Sequence, residues 1–499
     1  MSVFSEPAGL ILIPLLLPLL TAALIQIFGR VNDNLRDGLH TTMAALTFAS
    51  VLRLWPHVKA GDEIAFTLVE LFPGVPLAFS VEPLGMLFAM VASGLWILTS
   101  IYAFGYMRGH HEGNQTRFFT CFAAAISGAL GVAFSANLMS LFVFYEMLTL
   151  STYPLVTHHQ DAKAKRAGRI YLGILLTTSV CFLLAGIVWT FSITGNLDFT
   201  AGGILADHVG EGGALEGWRL PLLLALFAFG TGKAALMPFH RWLPNAMVAP
   251  TPVSALLHAV AVVKAGVFTV LKVVVYIFGI EVLSSTGAND WLMAVAGATL
   301  LISSIIALTL DNLKARLAYS TISQLAYIVL GAAMATSAGI MGSAMHIAMH
   351  AMGKITLFFC AGAIYVGAHK TLVSQLDGLA KKMPWTMAAF TVGSISIIGL
   401  PPMGGSWGKF FLGLGAIQAD KPIYLGLLMV SSLLSIGYLM PIVGRAYFRP
   451  LDPHDEDHVH EAPWMCVLPL CLTAAGCLVL FLLGDGIYQL ILPVVGGAL

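Results

Sequence analysis

Apolar stretches of about twenty residues, each long enough to cross a bilayer as a helix, recur from one end of this chain to the other with short polar connections between them. About fourteen spans are predicted, the first over 8–28 and the last over 465–492, and only 57–83, 194–218 and 448–464 separate them at any length. The pattern predicts an all-α polytopic membrane protein with no soluble domain. Two spans do not read as continuous helices. The seventh runs through Gly230-Thr-Gly-Lys233 into Pro238 and Pro244, and the twelfth through Gly399-Leu-Pro401-Pro402-Met-Gly404-Gly405. Interrupted backbone at that depth is tolerated only where protein or water satisfies its polar groups. Gly230-Thr-Gly-Lys233 also has a loose echo in Ser406-Trp-Gly-Lys409. Broken spans at matching places in two halves point to an inverted-repeat transporter. The chain then divides into 1–117 (three spans), 118–279 (a first five-span repeat), 290–447 (a second) and 448–499 (a connecting loop and the last span).

Composition agrees with the pattern. Of 499 residues 58% are hydrophobic and 10% charged, and the mean hydropathy is +0.87. A net charge of zero argues against a nucleic-acid partner or a polybasic anchor. The first apolar stretch follows only Glu6 and has no basic segment ahead of it, so it reads as a span rather than a leader. The six cysteines include no Cys-x-x-Cys pair, and no glycine-rich nucleotide loop occurs. No cofactor and no metal is therefore expected, although the segment 452–461, with three histidines and five acids, reads either as a metal site or as a solvated connector.

Sixteen of the 25 Lys and Arg residues lie on one set of alternate connections, from Arg30 and Arg36 through the basic cluster at 163–169 to Arg445 and Arg449. The positive-inside rule puts that set in the cytoplasm and both termini outside, in the periplasm of a bacterium.

Five lysines remain within spans: Lys233, Lys264, Lys272, Lys354 and Lys409. A lysine at the centre of a bilayer helix costs about 2.5–3.5 kcal/mol on the mildest scale, and such residues usually face a protein interior or wet cavity. Lys272 lies nearer a span end, where snorkelling accounts for it. Glu146 is the one carboxylate near mid-span, and a Glu146–Lys233 pair reads either as a charge switch or as a static lock between two helices. His258 and Lys264, on neighbouring faces of the eighth span, can bracket a polar cavity, or His258 can be a packed core residue. His346, His350 and Lys354 follow one another four residues apart and so share a stripe that points toward Lys409. The polar run Tyr319-Ser-Thr-Ile-Ser323-Gln324 reads as a helix cap.

Phe144-Tyr145-Glu146, Gly232-Lys233-Ala-Ala with Pro238-Phe-His240, Ala249-Pro-Thr-Pro-Val-Ser-Ala-Leu-Leu-His258, Val263-Lys264-Ala-Gly266, Asp311-Asn-Leu-Lys314, Ala318-Tyr-Ser-Thr-Ile-Ser-Gln324, and His350 with Lys354 together resemble the antiporter-like family of Mrp-type cation/proton antiporters and of complex I membrane subunits. The resemblance covers about residues 80–450. It implies a fourteen-helix fold with two inverted five-helix units, a proton path through Glu146, Lys233, Lys264 and Lys409, and membrane partner subunits. The residues themselves add His258, His346, His350 and Lys354 to that path. Lys409, where one complex I type has Glu, and the end of the chain at Leu499 tilt the resemblance toward the D-type large component of the Mrp antiporters. On this reading the chain is a secondary-transporter subunit of a sodium/proton antiporter and not itself an enzyme. The alternatives are a proton-pumping subunit of an NADH-quinone oxidoreductase or membrane hydrogenase, or of an inorganic-carbon uptake complex.

Overall fold

Polar side chains at the membrane faces start many of the helices by accepting a free backbone N–H of the first turn, as N-caps do. Asn137 takes the amide of Ser140 at 2.8 Å, Asp161 that of Ala164 at 2.6 Å, Asn312 that of Ala315 at 3.0 Å and Thr336 that of Gly339 at 3.1 Å. The computed structural model describes residues 7–210, 212–453 and 458–496. Residues 454–457, within the segment that invites a metal reading, lie outside the described residues.

The helices that matter here are α1 (Leu12–Phe28), α2 (Asp33–Leu52), α3 (Pro83–Gly109), α4 (Gln115–Phe134), α5 (Leu138–Val156), α6 (Ala162–Thr194), α7 (Arg219–Gly230), α8 (Val253–Phe278), α9 (Asp290–Thr309), α10 (Leu313–Ala333), α11 (Ser337–Ala368), α12 (Pro384–Ile398), α13 (Gly405–Gln418), α14 (Pro422–Phe448) and α15 (Trp464–Leu482). Ten helices among the described residues are long and apolar enough to cross a membrane, and α7 and α12 are shorter apolar helices. This is a mostly helical, multi-pass membrane fold.

Burial sorts the helices by position. The most apolar window of α8 is wholly buried and that of α11 is 94% buried, against 33% for α14 and α15. α8 and α11 are therefore the central axis, and α14 and α15 turn large apolar side chains such as Leu433 and Leu482 outward. An outward apolar face is the expected one where the solvent is lipid. The α8 and α11 helices meet directly, and α11 also packs against α3, α10, α12, α13 and α15.

The fold is not all-α. Residues Ile64–Phe72 (β1) and Val75–Val81 (β2) form an antiparallel hairpin with Ile64 opposite Val81 and Phe66 opposite Phe79. Gly74 makes its turn with φ +78°, a conformation that favours glycine. The hairpin is pinned to the α4–α5 turn: the Ala78 amide donates to Ser140 Oγ at 2.9 Å, and Asn137 Nδ2 donates to the Pro76 carbonyl at 2.8 Å. It falls in one of the three long connections, where span-length hydropathy carries no strand signal.

At the opposite, Lys/Arg-rich face, Arg36 binds Asp33 at 2.6 Å and Gln115 at 2.7 Å, and Arg108 binds Asp37. Asp311 accepts from the amide and hydroxyl of Ser374 at 2.9 and 2.7 Å, and the Ser374 hydroxyl foremost holds this exposed carboxyl below the usual carboxylate range. These contacts fasten the basic connections to one another.

Candidate functional site

The turn after α7 exists because Gly, Pro and a left-handed Ala235 (φ +55°) stop the helix. Trp242 Nε1 closes it by donating to the Gly232 carbonyl at 2.9 Å. Lys233 is fully buried in this turn. Its Nζ donates to the Tyr145 carbonyl at 2.8 Å and to Thr149 Oγ1 at 2.6 Å, and lies 3.1 Å from the Tyr145 ring centroid. Its backbone amide donates to the Tyr145 hydroxyl at 3.0 Å. The lysine is thus held by α5 through neutral oxygens and an aromatic face.

Glu146, the next residue along α5, is not ion-paired with it. Both carboxylate oxygens of Glu146 are buried and take no hydrogen bond from the protein. The expected ion pair is therefore not formed, and the ammonium is aimed at Tyr145 and Thr149 of α5 instead.

His258 lies in a π-helical stretch, Val253–Ala261, that opens α8. Such stretches are uncommon and often mark functional sites. Its ring stands edge-on to Tyr171 and Trp242, at 6.2 and 6.1 Å between centroids, and neither ring nitrogen has a protein partner. Lys264, further along the same helix, turns elsewhere: its Nζ contacts His350 Nδ1 of α11. His258 thus faces the rings of Tyr171 and Trp242, and Lys264 faces α11.

The α11 stripe is held by α10. His346 Nε2 meets Gln324 Oε1 at 2.9 Å, and its ring stacks on that of His350 at 5.6 Å and 5°. On its other side lies Tyr327, at 5.6 Å between centroids. Lys354 donates to Ser320 Oγ at 2.5 Å and to the Leu317 carbonyl at 3.3 Å. Ser320 in turn donates to the Tyr438 hydroxyl at 2.9 Å. Lys409 donates to the Ile398 carbonyl at 2.9 Å and Ser432 Oγ at 3.0 Å, and lies 4.9 Å from the Tyr327 ring. The Ile398 carbonyl is an acceptor left over at the C-terminus of α12, where a cation is favoured by the helix dipole.

The structure therefore brings Lys264, His350, His346 and, through Tyr327, Lys409 into one row, with Lys354 beside it on Ser320. Ser320 and Gln324 read as part of a cap and Tyr327 carried no reading, yet their i, i+4, i+7 spacing puts them on one face of a helix. That spacing was the available signal.

Lys272 is corrected. It does not snorkel: it is fully buried, forms an ion pair with Glu82 at 2.6 Å, donates to the Ser135 carbonyl at 2.7 Å, and lies 4.2 Å from the Phe199 ring centroid. Glu82 ends the hairpin and immediately precedes α3, in a connection where a single acid carries no sequence signal.

Comparison with known proteins places this geometry. Residues 135–435 match the family described as NADH:quinone oxidoreductase/Mrp antiporter, TM, and residues 73–119 match the complex I chain 5 N-terminus. The chain is 30% identical to NADH-quinone oxidoreductase subunit N of Desulforudis audaxviator, over 96% of this chain and 97% of that one. It is 29% identical to a Staphylococcus aureus (strain MRSA252) protein described as antiporter subunit mnhD2, over 91% and 89%. A chain of the Mrp complex from Dietzia sp. DQ12-45-1b has the same fold, with a TM-score of 0.83 at 21% identity over 97% of this chain and 96% of that one.

Proposed function

This chain belongs to the NADH:quinone oxidoreductase/Mrp antiporter family of membrane proteins, and on that premise we propose that it is the proton-translocating subunit of a Mrp-type monovalent cation/proton antiporter in a bacterial inner membrane. Its fourteen spans comprise three at the start, two inverted five-helix units at 118–279 and 290–447, and a last one within 448–499. The Lys/Arg-rich face is cytoplasmic and both termini are periplasmic.

One observation carries the reading: the contact between Lys264 and His350, which joins the lysines of the first unit to the histidine stripe of the second. Protons reach Lys233 and His258 first, pass by way of Lys264 to His350, His346 and Lys354, and leave through Lys409. Direct contacts do not cover every step. The nitrogens His258 Nδ1 and Nε2, His346 Nδ1 and His350 Nε2, and both Glu146 oxygens, are buried without a protein partner. Buried polar atoms are normally satisfied by protein or by ordered water, so water completes the row. Glu146 sets the charge state of Lys233 across the short gap between them, and a small helix displacement that alters their separation shifts the lysine's hold on its proton by about 1.4 kcal/mol for each pKa unit.

The path makes a testable steric demand. A Cβ at Gly266 would stand 2.3 Å from the Ala234 nitrogen and 2.4 Å from the Lys233 carbonyl carbon, so α8 approaches the Lys233 turn as closely as a glycine permits. Gly266→Ala is expected to displace that turn and lower proton movement in vesicles by up to about 100-fold, the effect of an ångström-scale misplacement, with the assembly intact. Wild-type flux in Gly266→Ala would show that the position of the turn does not matter.

Sodium, the proposed coupling cation, binds mainly in partner subunits, because one carboxylate among lysines is a poor set of ligands for it. Purified alone and reconstituted, this chain is expected to give no sodium-for-proton exchange at the rate of the whole assembly. Full-rate exchange by the single chain would overturn that assignment. The likeness to NADH-quinone oxidoreductase subunit N favours a second reading, a proton pump powered by redox partners. Isolation of the native assembly decides between them: cation-antiporter subunits support the first, and iron–sulfur or quinone-binding subunits the second.

A further inference from the structure

The proton row above begins with fully buried groups, so it requires a place where protons reach it from water. On the Lys/Arg-rich face a cavity of about 430 Å³ opens between α3, the loop at 244–251, the start of α10 and the end of α11. Among the described residues Glu112 is the one acid in it, with only 8% of its side chain exposed, and three imidazoles surround it: His110 Nδ1 at 3.4 Å, His159 Nδ1 at 3.5 Å and His158 Nε2 at 3.8 Å. Tyr106 from α3 and Lys314 from the start of α10 face the same carboxylate, and Lys163 from the start of α6 lines the cavity beside Lys314. Lys370 lines the rim, and Arg117 holds the backbone beneath His158 by donating to its carbonyl at 2.9 Å.

Two features give the cluster a direction. His158 is nearly fully buried, and burial above all, with His159 beside it, lowers its pKa to about 4. It is therefore neutral in use and leaves proton exchange to the more exposed His110 and His159. On the inner side, Lys314 Nζ donates at 2.8 Å to the carbonyl of Ala249, which is buried on the approach to the π-helical stretch carrying His258. Thr251, also lining the cavity, is 1% exposed. The cavity floor is thus the backbone that leads straight to the first unpartnered histidine of the row. These side chains are not disposed as a ligand set for a metal ion, and the lysines would repel a cation.

We propose that the Glu112–His110–His159 cluster is the port at which this chain gathers protons from the cytoplasmic face, and that Lys314 positions the segment beside which they approach His258. The proposal rests on the reading of the chain as a proton conductor. Its chemistry is proton exchange alone: a histidine takes a proton from water outside, Glu112 stabilises the imidazolium so formed, and the imidazolium returns the proton to water within the cavity that the 249–251 segment floors. A buried carboxylate that focuses protons into a cleft matters most where bulk protons are scarce.

The test uses the whole assembly in vesicles and follows proton uptake from the cytoplasmic face across mildly acid to mildly alkaline pH. Glu112→Gln is expected to slow uptake about tenfold at the alkaline end, the low end of electrostatic focusing, and to leave it nearly unchanged at the acid end. His159→Gln, a substitution at a partly exposed side chain, is expected to shift the profile the same way to a lesser degree. Profiles that superimpose on wild type for both variants would overturn the proposal while leaving the conductor reading intact, provided Lys264→Ala still abolishes flux. Uniform loss at every pH in both variants would also overturn it, because a structural role and not proton supply would then be at stake. If the wild-type assembly moves no protons at all, the conductor reading itself fails.

Discussion

Lys233→Ala is expected to reduce cation-dependent proton movement by about 100-fold or more, the contribution of one positioned proton-transfer group, while the chain still assembles with its partners. Assembly should survive because the partners it leaves are not stranded: Thr149 Oγ1 already donates to the Tyr145 carbonyl at 3.1 Å. Lys233→Arg separates the roles a lysine can play there. Arginine keeps the charge but does not give up a proton under any working condition, so it should fail nearly as completely as alanine. Glu146→Ala should behave like Lys233→Ala if the carboxylate sets the lysine's charge state. Proton uptake by vesicles, normalised to assembled complex, measures all three. Wild-type uptake in Lys233→Ala would remove this residue from the path, and activity in Lys233→Arg would reduce it to a fixed charge.

The second large effect is on stability, and it falls on the lysine that the sequence made least of. Lys272→Ala leaves the Glu82 carboxylate, largely buried at the joint between β2 and α3, without its 2.6 Å partner. Breaking a buried ion pair from one side is expected to destabilise by about 3–5 kcal/mol. The same change frees the Ser135 carbonyl at the end of α4, so the hairpin, α3, α4 and α8 lose a common anchor. Removing both charges is different, because a well-packed neutral replacement of a buried pair is often close to neutral in stability. Glu82→Gln combined with Lys272→Met should therefore recover most of what Lys272→Ala loses. Thermal unfolding of the detergent-purified assembly measures this, and a double-mutant cycle isolates the pairwise part. An unchanged unfolding temperature in Lys272→Ala would show that the pair holds nothing together.

Much of this molecule was written in one dimension. Runs of about twenty apolar residues specify membrane helices because an unpaired backbone group has no partner in lipid, and Gly and Pro specify where α7 and α12–α13 stop. Five lysines inside such runs mark buried polar sites, four of them on the proposed path, because lipid tolerates a lysine only where protein or water satisfies it. Those properties depend on neighbours along the chain or on the solvent, so residue order reveals them. The partners of each charge do not. Glu82 meets Lys272 and His350 meets Lys264 across separations of 190 and 86 residues, and Lys233 turns to Tyr145 and Thr149 although Glu146 is adjacent. Side-chain direction on a helix depends on which neighbour packs against which face, and that is fixed only when the helices assemble. For the same reason Ser320 and Gln324 read as a cap until α11 lies beside them, and the β-hairpin lies in an apolar stretch that Pro73-Gly74 and Pro76 interrupt, so it does not register as a span. The sequence by itself determined that charges are buried here and roughly how deep; the tertiary structure alone decided what each of them touches.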